Sequence, residues 1–571
     1  MKQPWYKYAI GYEIYPLAFS DSNDDGIGDL GGIINKLDYL KDLGVNLLWI
    51  CPFFDSPMDD NGYDVSNHFK VNPMYGTNED FKRLIEEVHN RDMYLIVDFV
   101  LNHTSDEHPW FLKAREDKSS PEHDYYIWHE GKVAEDGTLL PPNNWRGFFS
   151  DSAWAYDEVA KQYYMKIFSK KMPDLNWENP LLRKEIYKIA RAYLDMGVDG
   201  FRLDAIAHLA RDLSFEDSKQ TPDWDGLTLD SSKFSNRDRL FDYLSEFKTE
   251  VLDLYPNAFT VGEVGGGSST ATALKYSGFA EGSINMVFNF DTCWENGAYG
   301  ADNKKDEEIR TNVVNLKRIF AKWYHDCHGK TLMPIYWVNH DHPRVISQYG
   351  DPKNYPKESA KMLATLLLFM YGTPFLYQGE EIGMSNVDYT DLNDFKRDVS
   401  ARNYIIEATK RGLTEEQILT HLRRAARVNA RTPMQWKNAP NAGFSSQPTW
   451  FKVVNNYETI NVKDELSDPD SILNYYKQAI KVRQTPLIQQ AVLEGPFKLI
   501  RAEHPDVFAY EHYGPTHLFV IGNMRNKEVI FKDGYLTRKL RQLLANYDNF
   551  KISGDEITLP PYGAVVYVIE D

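Results

Sequence analysis

The pattern that most narrows what this chain can become is the alternation of short, β-rich apolar runs with helical stripes along most of its length. Eight runs read as strands: Ala9–Tyr15, Asn46–Ile50, Tyr94–Phe99, Gly200–Leu203, Phe259–Val261, Ile284–Asn289, Pro334–Val338 and Thr373–Tyr377. Between the first two, Leu30, Ile33, Ile34, Leu37 and Leu40 fall at helical spacing, and Gly44 closes that stripe as a left-handed cap. Phe81, Leu84, Ile85 and Val88 form the next stripe, behind a capping signal at Thr77 and Asp80. Another helix ends at Gly197, just before the run that starts at Gly200. Such alternation builds parallel βαβ units, and eight of them predict an α/β fold, a closed (β/α)8 TIM barrel.

Two segments break the rhythm. Residues 103–173 are rich in Pro, Gly, Asn, Trp and Tyr and are too long for an ordinary βα loop. They predict a small domain inserted after strand 3, at the C-terminal mouth of the barrel. Beyond residue 490 the helical pattern stops, and Val507–Tyr510, Leu518–Ile521 and Ala564–Tyr567 read as short strands of a C-terminal all-β domain. The expected division is therefore a barrel over 1–102 and 174–489, an insertion over 103–173 and a β-sandwich over 490–571.

Composition removes whole classes of function. The 571 residues carry 83 acidic against 64 Lys and Arg side chains, a net charge of −19. That field repels nucleic acid and anionic membranes. An aromatic content of 14% excludes a disordered chain. Cys51, Cys293 and Cys327 are too few and scattered for a disulfide framework or a zinc site, and the odd count suits a reducing compartment. The N-terminus shows no apolar signal region, and the apolar stretch Met362–Tyr377 is broken at Gly372-Thr373-Pro374, too short to span a bilayer. The expectation is a cytoplasmic enzyme, monomer or homodimer, with a small-molecule partner.

Polar residues gather at the C-terminal ends of the predicted strands. The third strand carries Asp98 and leads to Asn102 and His103; the fourth reads Gly200-Phe201-Arg202-Leu203-Asp204; the fifth ends at Glu263; the seventh is followed by Asn339-His340-Asp341. One Asp after a strand is more often a turn former than a catalyst. Four acidic strand ends on one barrel, with an Arg and two His, point instead to a single pocket at the face where barrel active sites lie. Several carboxylates with an Arg and no phosphate cradle suit chemistry through an oxocarbenium-like cation.

These segments, in this order, resemble the α-amylase superfamily, glycoside hydrolase family 13. So do Pro173-Asp174-Leu175-Asn176, the run Gly372–Glu381, and Arg431-Thr432-Pro433-Met434-Gln435-Trp436, the last two typical of its oligo-1,6-glucosidase and α-glucosidase branch. The resemblance covers essentially the whole chain. It implies Asp204 as nucleophile, Glu263 as acid/base and Asp341 as the third, transition-state carboxylate. It further implies sugar contacts from Asp98, His103 and His340, a closing platform from Tyr63 and Asp64 with Arg431 paired to that Asp64, and pocket-wall aromatics Phe149 and Phe168. Arg202, two residues before Asp204, shares its face and would keep it ionised. The expected activity is a retaining, exo-acting α-glucosidase on short oligosaccharides. The alternatives are an oligo-1,6-glucosidase, or a transglucosylase or isomerase using the same glucosyl-enzyme. A non-catalytic relative of the transporter heavy-chain type is disfavoured, because the carboxylates are present.

Two positions depart from the branch pattern. Ala205 follows the nucleophile where members preferring α-1,6 links tend to carry Val, which points to an α-1,4 preference; Met172 stands where Gln is expected, nearer the neopullulanase group. A loop, Asp21-Ser22-Asn23-Asp24-Asp25-Gly26-Ile27-Gly28-Asp29, offers alternating oxygens at Asp21, Asn23, Asp25 and Asp29 for a hard cation. The resemblance implies structural Ca²⁺ there (Mg²⁺ being the other candidate), with the Ile27 carbonyl as a further ligand. His208 reads as packing or hydrogen-bonded structure, Arg423, Arg424 and Arg427 as a solvated helix face, and Gly265–Gly267 as a flexible rim beside Glu263.

Overall fold

The computed structural model describes residues 4–149, 151–265, 268–297, 304 and 309–570. Its centre is an eight-stranded parallel sheet: β1 Gly11–Ile14, β2 Leu47–Ile50, β3 Tyr94–Val100, β4 Gly200–Asp204, β5 Phe259–Glu263, β6 Met286–Phe288, β7 Pro334–Ile335 and β8 Thr373–Tyr377. The hydrogen-bonded order is β6-β5-β4-β3-β2-β1-β8-β7. The two end strands meet through side chains. The Phe288 ring lies edge-on to Tyr336 at 5.1 Å, and the Tyr336 hydroxyl donates to the Asn289 carbonyl, closing the seam of the barrel.

All eight predicted runs become strands; Thr373–Tyr377 matches end to end and the other seven differ at one end or both. β4 and β5 reach Asp204 and Glu263, beyond the predicted limits, because their ladders with β3 and β6 continue to those residues. β7 shrinks to two residues, since it pairs only with β8 and only at Pro334 and Ile335. The stripe from Leu30 to Leu40 is two helices, Leu30–Ile34 and Leu37–Leu43. The Lys36 N–H reaches back three residues to the Ile33 carbonyl, which tightens the turn and restarts the helix. Gly44 and Gly197 both adopt left-handed φ, +99° and +108°, as helix caps, and Thr77 and Asp80 form a reciprocal capping box.

The insertion folds on a three-stranded antiparallel sheet ordered Trp128–His129, Gln162–Met165, Trp154–Asp157, packed with Trp145 and Phe234. Its two ends are pinched together where His103 bridges Asp174 and the Thr104 N–H donates to the Pro173 carbonyl at 3.2 Å. The segment therefore leaves and re-enters at one place on the barrel mouth.

Strand periodicity explains how the C-terminal region docks. Alternate residues point to opposite faces. Val507, Ala509, Phe519, Ile521 and Val565 face a second sheet and meet Phe531, Ile557 and Leu559. Phe508, Tyr510, Leu518, Val520 and Val566 face the other way and join the barrel core, against the helix Pro356–Leu368. The apolar stretch Met362–Tyr377 is thereby accounted for as the end of that helix and the whole of β8, and no helix among the described residues is long and apolar enough to cross a membrane.

One buried cation pins this interface. Lys317, on the helix Val313–Cys327, is fully buried, and its Nζ donates to the carbonyls of His504 at 2.8 Å, Val507 at 2.9 Å and Arg501 at 3.4 Å. Lys317→Met keeps the apolar stem and strands those three acceptors. The expected loss is ~3 kcal/mol, read as a lower denaturation midpoint; an unchanged midpoint contradicts this account of the interface.

Candidate active site

β3, β4 and β5 are adjacent, and their C-terminal ends place four charged side chains together. Arg202 lies opposite Asp98 in the β3–β4 ladder, and Asp204, two residues on, shares its face. The Arg202 guanidinium Nη1 donates to Asp98 Oδ1 at 2.7 Å and also to Asp204 Oδ1, while Nη2 donates to Glu263 Oε2 at 2.8 Å. Trp49 Nε1 and the Tyr63 hydroxyl complete Asp98, at 3.1 and 3.0 Å from Oδ2. Glu263 Oε2 also accepts the Ala205 N–H at 3.0 Å. With Oε2 occupied by two donors, Oε1 is the oxygen left to carry a proton.

Electrostatics set Asp341 apart from the other three acids. Burial pushes Asp204 and Glu263 up to about 7 and Asp98 up to about 6, against the pull of Arg202; repulsion from neighbouring carboxylates adds to the rise of Asp204 and Glu263. Three carboxylates around one guanidinium hold a proton near neutral pH. Asp341 behaves oppositely. Burial works against its charge, but His340, Arg427 and Arg431 outweigh it and hold the carboxyl well below the usual range. Arg431 Nη2 donates to Asp341 Oδ1 at 2.7 Å and Arg427 Nη1 at 3.3 Å.

These groups open onto a cavity of about 310 Å³ lined by Asp204, Glu263 and Asp341. Tyr63, His103 and Ala205 contribute from the barrel loops, and Phe149 and Phe168 from the insertion. Arg202, Asp98 and His340 lie beneath it, almost wholly buried. Met172 also reaches the cavity wall. Ala205 holds a left-handed φ of +48°, a strained turn directly after Asp204.

Three readings need correction. Asp64 does not reach the cavity: it is fully buried, accepting from Ser56 Oγ at 2.9 Å and from the Asp59 and Asp60 N–H groups at 2.8 and 3.1 Å. The lining carboxylate is Asp60, carried inward by a turn in which Met58, Asn61 and Gly62 all have positive φ. Its partner is Arg427, at 2.8 Å, and not Arg431, which binds Asp341 and the His340 carbonyl. Arg427 is no solvated helix residue: it bridges Asp60, Asp341 and Asp398 and lies 5.1 Å from the Phe149 ring. His208 is hydrogen-bonded as expected, its Nδ1 2.9 Å from Ser235 Oγ, and it borders the cavity as well.

Phe148, Phe290, Trp294 and His342 line the cavity as well and carried no strand-end signal in the sequence. The glycine run is described at Gly265, a lining residue; Gly266 and Gly267 lie outside the described residues.

In the oxygen-rich loop, Asp21, Asn23 and Asp25 each accept a backbone N–H two residues on, and Asp21 Oδ2 takes the Gly26 N–H at 2.8 Å. Asp29 caps the helix Leu30–Ile34 and binds Ser22 and Gly32. The donors are all oxygens, which suits a hard cation, with Asp29 the most committed elsewhere.

Residues 13–491 match the alpha amylase catalytic domain. The oligo-1,6-glucosidase of Parageobacillus thermoglucosidasius is 41% identical, covering 100% of both chains, and an alpha-glucosidase of Pediococcus pentosaceus is 38% identical over 99% of this chain and 98% of that one. The crystal structure of an isomaltulose synthase from Klebsiella sp. LX3 superposes with a TM-score of 0.92 at 34% identity, over 100% of both chains. The chain is a glycoside hydrolase of the alpha-amylase family.

Proposed function

We propose that this enzyme is a retaining, exo-acting α-glucosidase that releases glucose from the non-reducing end of short α-glucans, with a preference for α-1,4 links. The observation that carries the reading is the Arg202-centred carboxylate set at the base of a 310 Å³ cavity walled by Asp60 and Arg427. That volume is at the small end of the ~300–1,000 Å³ typical of ligand pockets, and it suits a terminal sugar better than the middle of a long chain.

In this mechanism an Asp204 oxygen attacks the anomeric carbon while Glu263 Oε1–H protonates the glycosidic oxygen. The C1–O bond breaks and the remaining sugar leaves as an alcohol. Glu263, now ionised, takes a proton from water as the water oxygen displaces Asp204, so the anomeric configuration is restored. Asp341, held charged by its two arginines, stabilises the cationic transition state. The aromatic rings of Phe148, Phe290 and Trp294 support some transfer to a sugar hydroxyl in place of water.

Asp204→Ala is expected to abolish turnover of an aryl α-glucoside. Glu263→Gln is expected to cost far more on maltose than on a substrate with a good leaving group, and to remove the fall in kcat/KM as pH rises past about 7, where the wild-type acid loses its proton. Residual Asp204→Ala turnover, or equal losses for Glu263→Gln on both substrates, contradicts these roles.

Linkage preference follows from Ala205, whose small side chain borders the cavity. Ala205→Val narrows that space and is expected to raise the isomaltose-to-maltose activity ratio by about tenfold; an unchanged ratio removes the steric argument.

The cation loop is read as a structural Ca²⁺ site formed by Asp21, Asn23, Asp25, the Ile27 carbonyl and Asp29. The ion would tie together a loop that follows β1, and no catalytic step involves it. Chelation and dialysis are expected to lower the melting temperature by several degrees and Ca²⁺ to restore it, consistent with ~2–3 kcal/mol from a well-saturated site. A melting temperature insensitive to both removes the assignment.

A further inference from the structure

His340 sits beneath the cavity with no exposed surface, its ring parallel to Tyr63 (centroids 5.2 Å, 9°) and to Tyr15 (5.9 Å, 14°). Its Nδ1 lies 2.5 Å from Oε1 of Glu13, a carboxyl on β1 that is itself buried and that the mechanism above does not use. Its Nε2 lies 2.7 Å from the Tyr63 hydroxyl and 3.4 Å from Asp341 Oδ2. The Tyr63 hydroxyl is also 3.0 Å from Asp98 Oδ2. Glu13, His340, Tyr63 and Asp98 thus form one continuous chain of hydrogen bonds.

With Asp98 as the acceptor of the Tyr63 hydroxyl, the hydrogens along the chain can be counted. Tyr63 owns a single hydrogen. When Asp98 accepts that hydrogen, the Tyr63 oxygen can only accept from His340, so Nε2 must carry a hydrogen. If Nε2 were bare, Asp98 and Nε2 would compete for one hydrogen, and an unprotonated nitrogen would face the permanently charged Asp341. A hydrogen on Nε2 requires that the 2.5 Å contact at Nδ1 hold a second one, shared with Glu13. The pair Glu13–His340 then contains two hydrogens and no net charge, whichever side the shared one resides on. The directions of titration agree: burial drives Glu13 up and His340 down, which favours the neutral arrangement.

We propose that Glu13 is a positioning residue that supplies the hydrogen bond at Nδ1 and so keeps the Nε2–H of His340 directed at Tyr63, Asp341 and the sugar pocket. The inference deepens the glucosidase reading and rests on it for the site's occupant. Cys51 belongs to the same cluster, its Sγ 3.4 Å from Glu13 Oε1, and gives it a weak further donor. Removing Glu13 frees His340 to switch tautomer; Nε2 then becomes an acceptor, and the Tyr63–Asp98 bond must compete with it.

The test is a pair of variants with opposite expectations. Gln in place of Glu13 offers an amide N–H to Nδ1 and preserves the Nε2–H tautomer, whereas Leu offers nothing. Glu13→Leu is expected to lower kcat/KM on an aryl α-glucoside by about 10- to 100-fold, the range for loss of the partner that orients a metal-bound histidine, and Glu13→Gln to stay within about threefold of wild type. Equal losses in the two variants, or no loss in Glu13→Leu, overturn the proposal. A measurement on the wild-type enzyme is independent of how the Glu13 variants fold and of substrate identity. In histidine-¹⁵N-labelled protein at neutral pH, the ring signals missing from His340→Asn are expected to show hydrogen on Nε2, and a bare Nε2 refutes the inference even if the glucosidase reading holds. Absence of aryl α-glucosidase activity in the wild type, with Nε2 protonated, would instead count against the glucosidase reading alone.

Discussion

One guanidinium organises the catalytic end of this barrel. Arg202 is almost entirely buried, and its Nη1 and Nη2 together bind Asp98, Asp204 and Glu263 from three adjacent strands. A buried cation of this kind is costly unless paired, and a buried carboxylate equally so. The cluster therefore exists only as a set, and removing Arg202 would leave three acids repelling one another in a low dielectric. The indole of Trp49 and the ring of Tyr63 lie near the guanidinium, at 5.2 and 5.9 Å, and shield it from water. Because three acids share one positive charge, a proton stays in the set at neutral pH. The hydrogen bonds from Arg202 and Ala205 to Glu263 Oε2 determine which oxygen of that residue is free to hold it.

A second pair of arginines sets the opposite condition on the facing carboxylate. Arg427 and Arg431 both reach Asp341 Oδ1, and Arg427 extends the network to Asp60 and Asp398. Asp341 thus stays charged through the range in which Glu263 takes up its proton. The difference lies in the count of cations: Asp204 and Glu263 share Arg202 with Asp98, whereas two arginines reach Asp341. The same network closes one wall of the cavity, so protonation and pocket shape depend on shared residues.

The fold and the carboxylate set around Arg202 could be read from sequence to an unusual extent, because both depend on periodic signals. Strand-and-helix alternation located all eight barrel strands, and strand-end acids such as Asp98, Asp204 and Glu263 were visible because a period of two places Arg202 and Asp204 on one face. The misreadings lie where the chain is not periodic. Asp60 sits in a turn whose positive φ angles at Met58, Asn61 and Gly62 turn a surface-looking acid inward. Asp64, next to the aromatic that does line the cavity, spends its oxygens organising that turn. Arg427 looked like one of several exposed arginines, since nothing local reveals that Asp60, from the other end of the chain, will meet it. His208, Phe290 and Trp294 became pocket residues only through tertiary packing.

The account turns on Asp204 forming a covalent bond to the sugar while Glu263 delivers the proton. A 5-fluoro α-glucosyl fluoride slows breakdown of such an intermediate enough to trap it, and peptide mass spectrometry then locates the adduct. The account predicts a single fluoroglucosyl ester on Asp204, accumulating with loss of activity and discharged on prolonged incubation. An adduct on another residue, or none together with product of inverted anomeric configuration, contradicts it.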